Sequence, residues 1–179
     1  MALRAFDMRR EDLTFLTRAP VIHAFEADVA APRDRVFAAL ADPATWSRWF
    51  PGVKSARYGS PPPHGVGTIR EADVSGTRWV EEMIAWDEHA RWAWTVLRAS
   101  VPFATAQVEC FEFADAGAGT RIRWTLALDP RLVARLGAPF ATRAIRRLLA
   151  RATTNLDARL AGAGGPSSGV SRPTARIIR

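Results

Sequence analysis

The feature that most limits what this chain can become is a succession of short, turn-bounded segments that ends in one long amphipathic stretch. Six segments of strand character follow one another at residues 53–58, 67–74, 77–86, 91–97, 103–113 and 120–128. The breaks between them are turn residues: Pro61-Pro62-Pro63-His64-Gly65, Ser75-Gly76, Asp87-Glu88-His89-Ala90, Ser100-Val101-Pro102 and Asp115-Ala116-Gly117-Ala118-Gly119. Connections this short join antiparallel neighbours, because a parallel pair needs a longer crossover. The last strand alternates most clearly, with Ile122, Trp124, Leu126 and Leu128 on one face and Arg121, Arg123 and Thr125 on the other. Residues 139–160 then carry Ile145, Leu148, Leu149, Ala152, Leu156 and Leu160 at three-to-four spacing, with Arg143, Arg147 and Arg151 on the opposite side. No other element has a stripe long enough to cover a sheet face. The fold class is therefore α+β.

The remaining elements fit around that frame. Residues 21–29 alternate loosely and read as a first strand, which makes about seven in the sheet. Pro32 opens a helix through Val36, Phe37 and Leu40, Asp42-Pro43 ends it, and a second short helix runs over 44–49 until Pro51-Gly52. A short helix is expected at 131–136. Residues 1–19 are expected to be an extension in which Asp7 caps a helical turn over 8–16, docking through Leu13, Phe15 and Leu16. Residues 20–161 form the domain, and 162–179, opening Gly-Ala-Gly-Gly-Pro-Ser-Ser-Gly, read as a flexible basic tail.

Composition narrows the function. Seven Trp and nine Phe against a single Tyr imply a large apolar interior or an aromatic-lined cavity. The net charge of +7 is uneven: residues 131–179 hold ten Arg and one acid, Asp157. The basic residues are on the long helix and tail while the aromatics are on the strands. That separation argues against nucleic-acid binding, which wants the two interleaved. It reads first as a solvated helix face, with weak contact to an anionic membrane surface as the alternative. Arg4, Arg9 and Arg10 interrupt the N-terminus and no apolar run follows, so a cytoplasmic protein is expected. One Cys and three scattered His build no metal site, and Gly65-Val66-Gly67 lies between strands rather than before a helix, so neither a metal nor a cofactor is expected.

The string Ala31-Pro32…Val36-Phe37…Leu40…Asp42-Pro43…Trp46…Trp49-Phe50-Pro51-Gly52 resembles the opening of the polyketide cyclase/dehydrase and lipid-transport group of the START-like superfamily. Gly119-Thr120-Arg121-Ile122-Arg123-Trp124 resembles that group's penultimate turn and last strand. The resemblance implies a helix-grip fold, a curved sheet around the C-terminal helix, with a deep cavity between them for a small hydrophobic ligand such as a polyketide, lipid, quinone or isoprenoid. It also implies a lining that includes Trp46, Phe50, Trp79, Phe111 and Trp124, with Asn155 near a polar position on the helix. The group's cyclases carry an Arg four residues beyond the Trp79 position. Here that residue is Met83, which shifts weight from catalysis toward binding.

The residues themselves add candidates. Trp79, Glu81 and Met83 share a strand face. If that face is inward, Glu81 is a carboxylate in an apolar pocket, either a general acid or base or the partner of an Arg. A one-residue slip would instead bury Val80, Glu82, Ile84 and Trp86. Trp92 and Trp94 share another face and suit core packing or ligand stacking. Leu148 and Ala152 present the helix stripe to the ligand. His23 reads as a structural residue and Cys110 as a small packed one. Ligand binding or carriage is the leading expectation, a cyclase/dehydrase-type enzyme using Glu81 or Asn155 the second, and an interaction module with a collapsed cavity the third. An open cavity of several hundred Å³ with an inward carboxylate would favour the enzyme.

Overall fold

The computed structural model describes residues 5–131, 138–162 and 176–177. Nine strands form one antiparallel sheet: β1 (Phe6–Asp7), β2 (Val21–Val29), β3 (Val53–Tyr58), β4 (Ile69–Val74), β5 (Thr77–Asp87), β6 (Arg91–Ala99), β7 (Ala104–Ala116), β8 (Gly119–Pro130) and β9 (Arg176–Ile177). The order across the sheet is β3-β4-β5-β6-β7-β8-β2-β9, with β1 on β6. The other described elements are helices α1 (Phe15–Arg18) and α2 (Arg33–Ala41), a 3-10 helix (Pro43–Arg48) and the long α3 (Ala138–Gly162). This is the α+β helix-grip arrangement expected from the sequence. No described helix is long and apolar enough to cross a membrane.

Turn chemistry sets the register. Ser75 and Gly76 both take positive φ (52° and 81°), the twist of a two-residue hairpin turn, and Val74 pairs with Thr77. The rest of the β4–β5 ladder follows, so Ala72 faces Trp79 and Arg70 faces Glu81. At the β7–β8 hairpin a Cβ on Gly119 would sit 2.3 Å from the Val29 carbonyl oxygen, a backbone atom that cannot swing aside. Gly119→Ala is expected to cost about 1–3 kcal/mol through this overlap. A thermal melt checks it; an unchanged midpoint would show that the β2 end yields freely.

The inner face of the sheet and the α3 stripe share one core. Leu149, Ala152, Leu156 and Leu160 are buried there with Val36, Phe37, Leu40, Trp46, Trp92, Phe111 and Trp124. Arg143, Arg147 and Arg151 are exposed on the opposite side of α3. Two hydrogen bonds anchor the helix end. The Ala30 amide donates to Asp157 Oδ1 (2.8 Å) and Arg35 donates to the Leu160 carbonyl (2.9 Å). The latter is a cation on the open carbonyls of a helix C-terminus.

The N-terminal segment departs from the expected helical turn over 8–16. Asp7 is in β1, and the helix is α1, preceded by Asp12, whose Oδ1 accepts from the Thr14 amide (2.9 Å). The cause lies in the sheet. Pairing of β6 with β7 runs from Arg91 to Thr95, and the open edge beyond it takes Phe6 opposite Ala99 and Asp7 opposite Arg98. The Met8 amide then donates to the Leu97 carbonyl and the Arg9 amide to Thr105, so backbone that might have coiled satisfies a strand edge instead. Phe15 reaches the outer face, where it packs with Ala106, Val108 and Ala127. Of the expected tail, Arg176 and Ile177 pair with Glu26 and Phe25 on β2. The short helix expected at 131–136 lies outside the described residues, apart from Arg131, which is not helical.

Candidate functional site

A cavity of about 290 Å³ lies between the inner sheet face and α3. Of the residues singled out in the sequence, Trp46, Phe50, Trp79, Glu81, Trp94, Phe111, Trp124 and Leu148 line it. Trp79 and Glu81 both face inward, as their shared parity requires. Trp86 nevertheless packs on the same core, because a register shift between Met83 and Ala85 reverses the alternation and sends Ile84 and Ala85 to the outer face.

Four expected site residues stand outside the lining. Met83 is fully buried in the core, held by the exchange of its backbone with Thr68 and Gly67. Trp92 is enclosed by Trp46, Trp86, Trp94 and Phe111, with ring centroids 4.9–6.1 Å away, and packs solidly. Ala152 is too short to pass the core layer that buries it. Asn155 is on the exposed side of α3, and its Nδ2 donates to the Trp49 carbonyl (2.9 Å), tying the helix to the end of the 3-10 helix. The helix repeat puts Asn155 at the flank of the buried stripe, about 60° from Ala152 and about 100° from Leu156, where it meets the 3-10 helix instead of the cavity.

The cavity's polar wall comes mostly from residues the sequence reading did not select. Arg70 on β4 is fully buried and borders the cavity. Its Nε donates to Glu81 Oε2 at 2.7 Å, and its guanidinium carbon lies 4.2, 4.5 and 4.9 Å from the ring centroids of Trp94, Trp46 and Trp92. Three indole faces around a desolvated cation are a favourable setting for cation–π attraction. Among the described residues Arg70 Nη1 and Nη2 have no hydrogen-bond acceptor. Two signals could have found this residue. The Ser75-Gly76 turn sets position 70 opposite 81, and an inward Glu81 calls for a cation.

Glu109 on β7 is the second polar centre. Its Oε1 accepts from Gln107 Nε2 (2.6 Å) and its Oε2 from Trp124 Nε1 (2.9 Å). It is half-buried and lines the cavity. Desolvation first, and then the nearby Glu81 charge, push its pKa up to about 7, against the opposing pull of Trp124, Arg70 and Gln107. Strand alternation from Phe111 predicts the inward position of both Glu109 and Gln107. His23 also lines the cavity, and burial lowers its pKa, favouring the neutral imidazole. Cys110 points to the outer face with Ala85 and Ala93, and burial raises its thiol to about 12, so it is protonated and unreactive near neutrality. Among the described residues no cluster of three or more His, Cys, Asp or Glu could hold a metal.

Comparison with known proteins agrees with this geometry. The family model described as polyketide cyclase / dehydrase and lipid transport matches residues 23–161. An uncharacterized protein of Mycobacterium tuberculosis is 30% identical over 163 residues, covering 88% of this chain and 98% of that protein. A START superfamily protein from Mycobacterium smegmatis superposes with a TM-score of 0.61 at 16% identity, covering 79% of this chain and 98% of that one. The di-domain ARO/CYC BexL gives a TM-score of 0.61 at 16% identity, over 82% of this chain and 52% of that one. At such identities the two structures speak for the fold alone.

Proposed function

This chain belongs to the polyketide cyclase/dehydrase and lipid transport family, and from that premise we propose that it binds a small, largely apolar molecule beneath α3, with the molecule's polar end against Glu109, Gln107 and the Arg70–Glu81 pair. The observation that carries this reading is a cavity that is aromatic and aliphatic on most sides, with its polar groups on β4, β5 and β7 apart from His23 on β2. Burying roughly 200 Å² of apolar ligand surface would contribute about 5 kcal/mol before ordering costs.

The inward carboxylates favour a second reading, in which the same site moves a proton on its ligand as a cyclase or dehydrase would. Glu109 titrates near neutrality, where a group can both give and take a proton. Arg70 reaches the cavity from β4 and supplies a guanidinium that position 83 lacks, able to polarise a carbonyl. A collapsed interaction module fits less well with about 290 Å³ of internal space.

Trp46, Trp79, Trp94 and Trp124 line the cavity, so their emission reports occupancy. Titration with the neutral probe N-phenyl-1-naphthylamine is expected to give a saturable change that is lost in Leu148→Trp, where the added ring fills the space. A probe response identical in that variant would place binding elsewhere. Native mass spectrometry of protein purified from its own host would then give the mass of any retained ligand.

A further inference from the structure

The cavity's polar groups differ in what they lack. Most buried side-chain atoms left without a partner among the described residues are donors: Arg70 Nη1 and Nη2, and the indole nitrogens of Trp49, Trp92 and Trp94. Arg70 and Trp94 border the cavity itself. Buried donors of this kind ask for an acceptor brought in from outside. The Glu109 cluster adds another when it is neutral. Trp124 can only donate, and Gln107 can turn its amide to give or accept. Whichever way the amide faces, a protonated Glu109 and Gln107 together hold three donor hydrogens and use one on each other, which leaves one more free than when Glu109 is ionised.

Charge points the same way. Glu81 already balances Arg70. His23 is held toward its neutral form by burial. The parts of α3 that line the cavity are Ile145, Leu148 and Leu149; β6 contributes Trp94, β8 contributes Trp124, Leu126 and Leu128, and the 3-10 helix contributes Trp46, none of them charged. With Glu109 protonated the wall, among the described residues, is therefore rich in donors but carries no net charge. An ionised ligand would arrive beside Glu81 and Glu109 as a buried charge without a counter-ion of its own.

We propose that the cavity selects a neutral ligand bearing a carbonyl-type acceptor oxygen and disfavours ionised carboxylates, with protonated Glu109 as the specificity-determining group. The proposal rests on the cavity being a ligand site and adds the charge state of its ligand. It couples binding to a proton. The donor form of Glu109 is present below pH 7 and is lost above it, so affinity for a neutral acceptor falls as pH rises.

The test uses two probes with the same number of heavy atoms, 2-undecanone and decanoate, titrated calorimetrically into the full chain at pH 6 and pH 8. The ketone is expected to bind at least tenfold more tightly than decanoate at pH 8, and to bind about tenfold more weakly at pH 8 than at pH 6. Glu109→Gln keeps a donor without a titrating proton and is expected to flatten that profile while retaining ketone binding. Decanoate binding as tightly as the ketone at pH 8 would overturn the selection. A flat ketone profile in the unaltered chain would overturn the role of Glu109, whatever the variant does. If neither probe binds at either pH, the ligand-site reading fails and takes the proposal with it.

Discussion

Glu81→Leu is expected to destabilise the fold by about 3–5 kcal/mol, because it strands a guanidinium that has no other anion bonded to it. Arg70 is fully buried, and among the described residues Glu81 is its only carboxylate at bonding distance and its two terminal nitrogens already lack acceptors. An arginine side chain cannot escape by losing its proton. The three indoles around it are in place in the unaltered chain as well, so they do not replace the lost anion. The reciprocal change, Arg70→Met, is expected to cost less, since a stranded Glu81 can take up a proton and become neutral. Leu and Met at both positions together should recover much of the loss, as apolar replacements of whole buried pairs often do. Urea denaturation of the two single variants and the double variant at pH 7 closes the cycle. A Glu81→Leu loss below 1 kcal/mol would mean that water or backbone reaches the guanidinium.

That pair also shows how far the sequence could be read. The sheet was legible because its turns are short and chemically explicit. Ser75-Gly76 alone determines which residues of β4 face which residues of β5. The α3 stripe was legible because six apolar residues at three-to-four spacing have no other use. The aromatic lining at Trp46, Phe50, Trp79, Phe111 and Trp124 was expected from the family resemblance rather than from strand parity. What did not follow was anything requiring two strands at once. Arg70 was passed over because its own strand, with Glu71 and Asp73 beside it, looks like a polar edge. Only its position opposite Glu81 reveals that it points inward. Glu109 was passed over although Phe111 shares its face, because an acid next to a cysteine reads as a solvated position. The β5 bulge has no residue signature at all: it lets Trp79 and Trp86, of opposite parity, reach one core. The N-terminal segment was misread because its helical pattern competes with an open β6 edge that only the folded sheet creates.

Glu109→Gln should show a large pH-dependent effect on stability between pH 4 and pH 8, and its sign follows from the direction of the shift. Burial raises the folded-state pKa of Glu109 from the ordinary 4.5 to about 7. Below 4.5 both the folded and unfolded chains hold the proton, and the residue is neutral in each. Between 4.5 and 7 the unfolded chain ionises while the folded one does not, so stability falls as pH rises. Above 7 the folded state carries a carboxylate in a poorly solvated wall, and the accumulated loss is about 3 kcal/mol at 1.36 kcal/mol per unit. Glutamine has nearly the same shape, does not titrate, and keeps an oxygen for the Trp124 indole. The variant is therefore expected to match the unaltered chain in stability near pH 4 and to exceed it by about 3 kcal/mol at pH 8. Urea midpoints measured across that range check the difference; parallel curves would show that Glu109 is solvated and ionised in the folded state. The proton that destabilises the fold when it leaves is the same one that makes the wall a donor. An acid at a position where its amide isostere is expected to be more stable serves what the cavity holds rather than the fold around it.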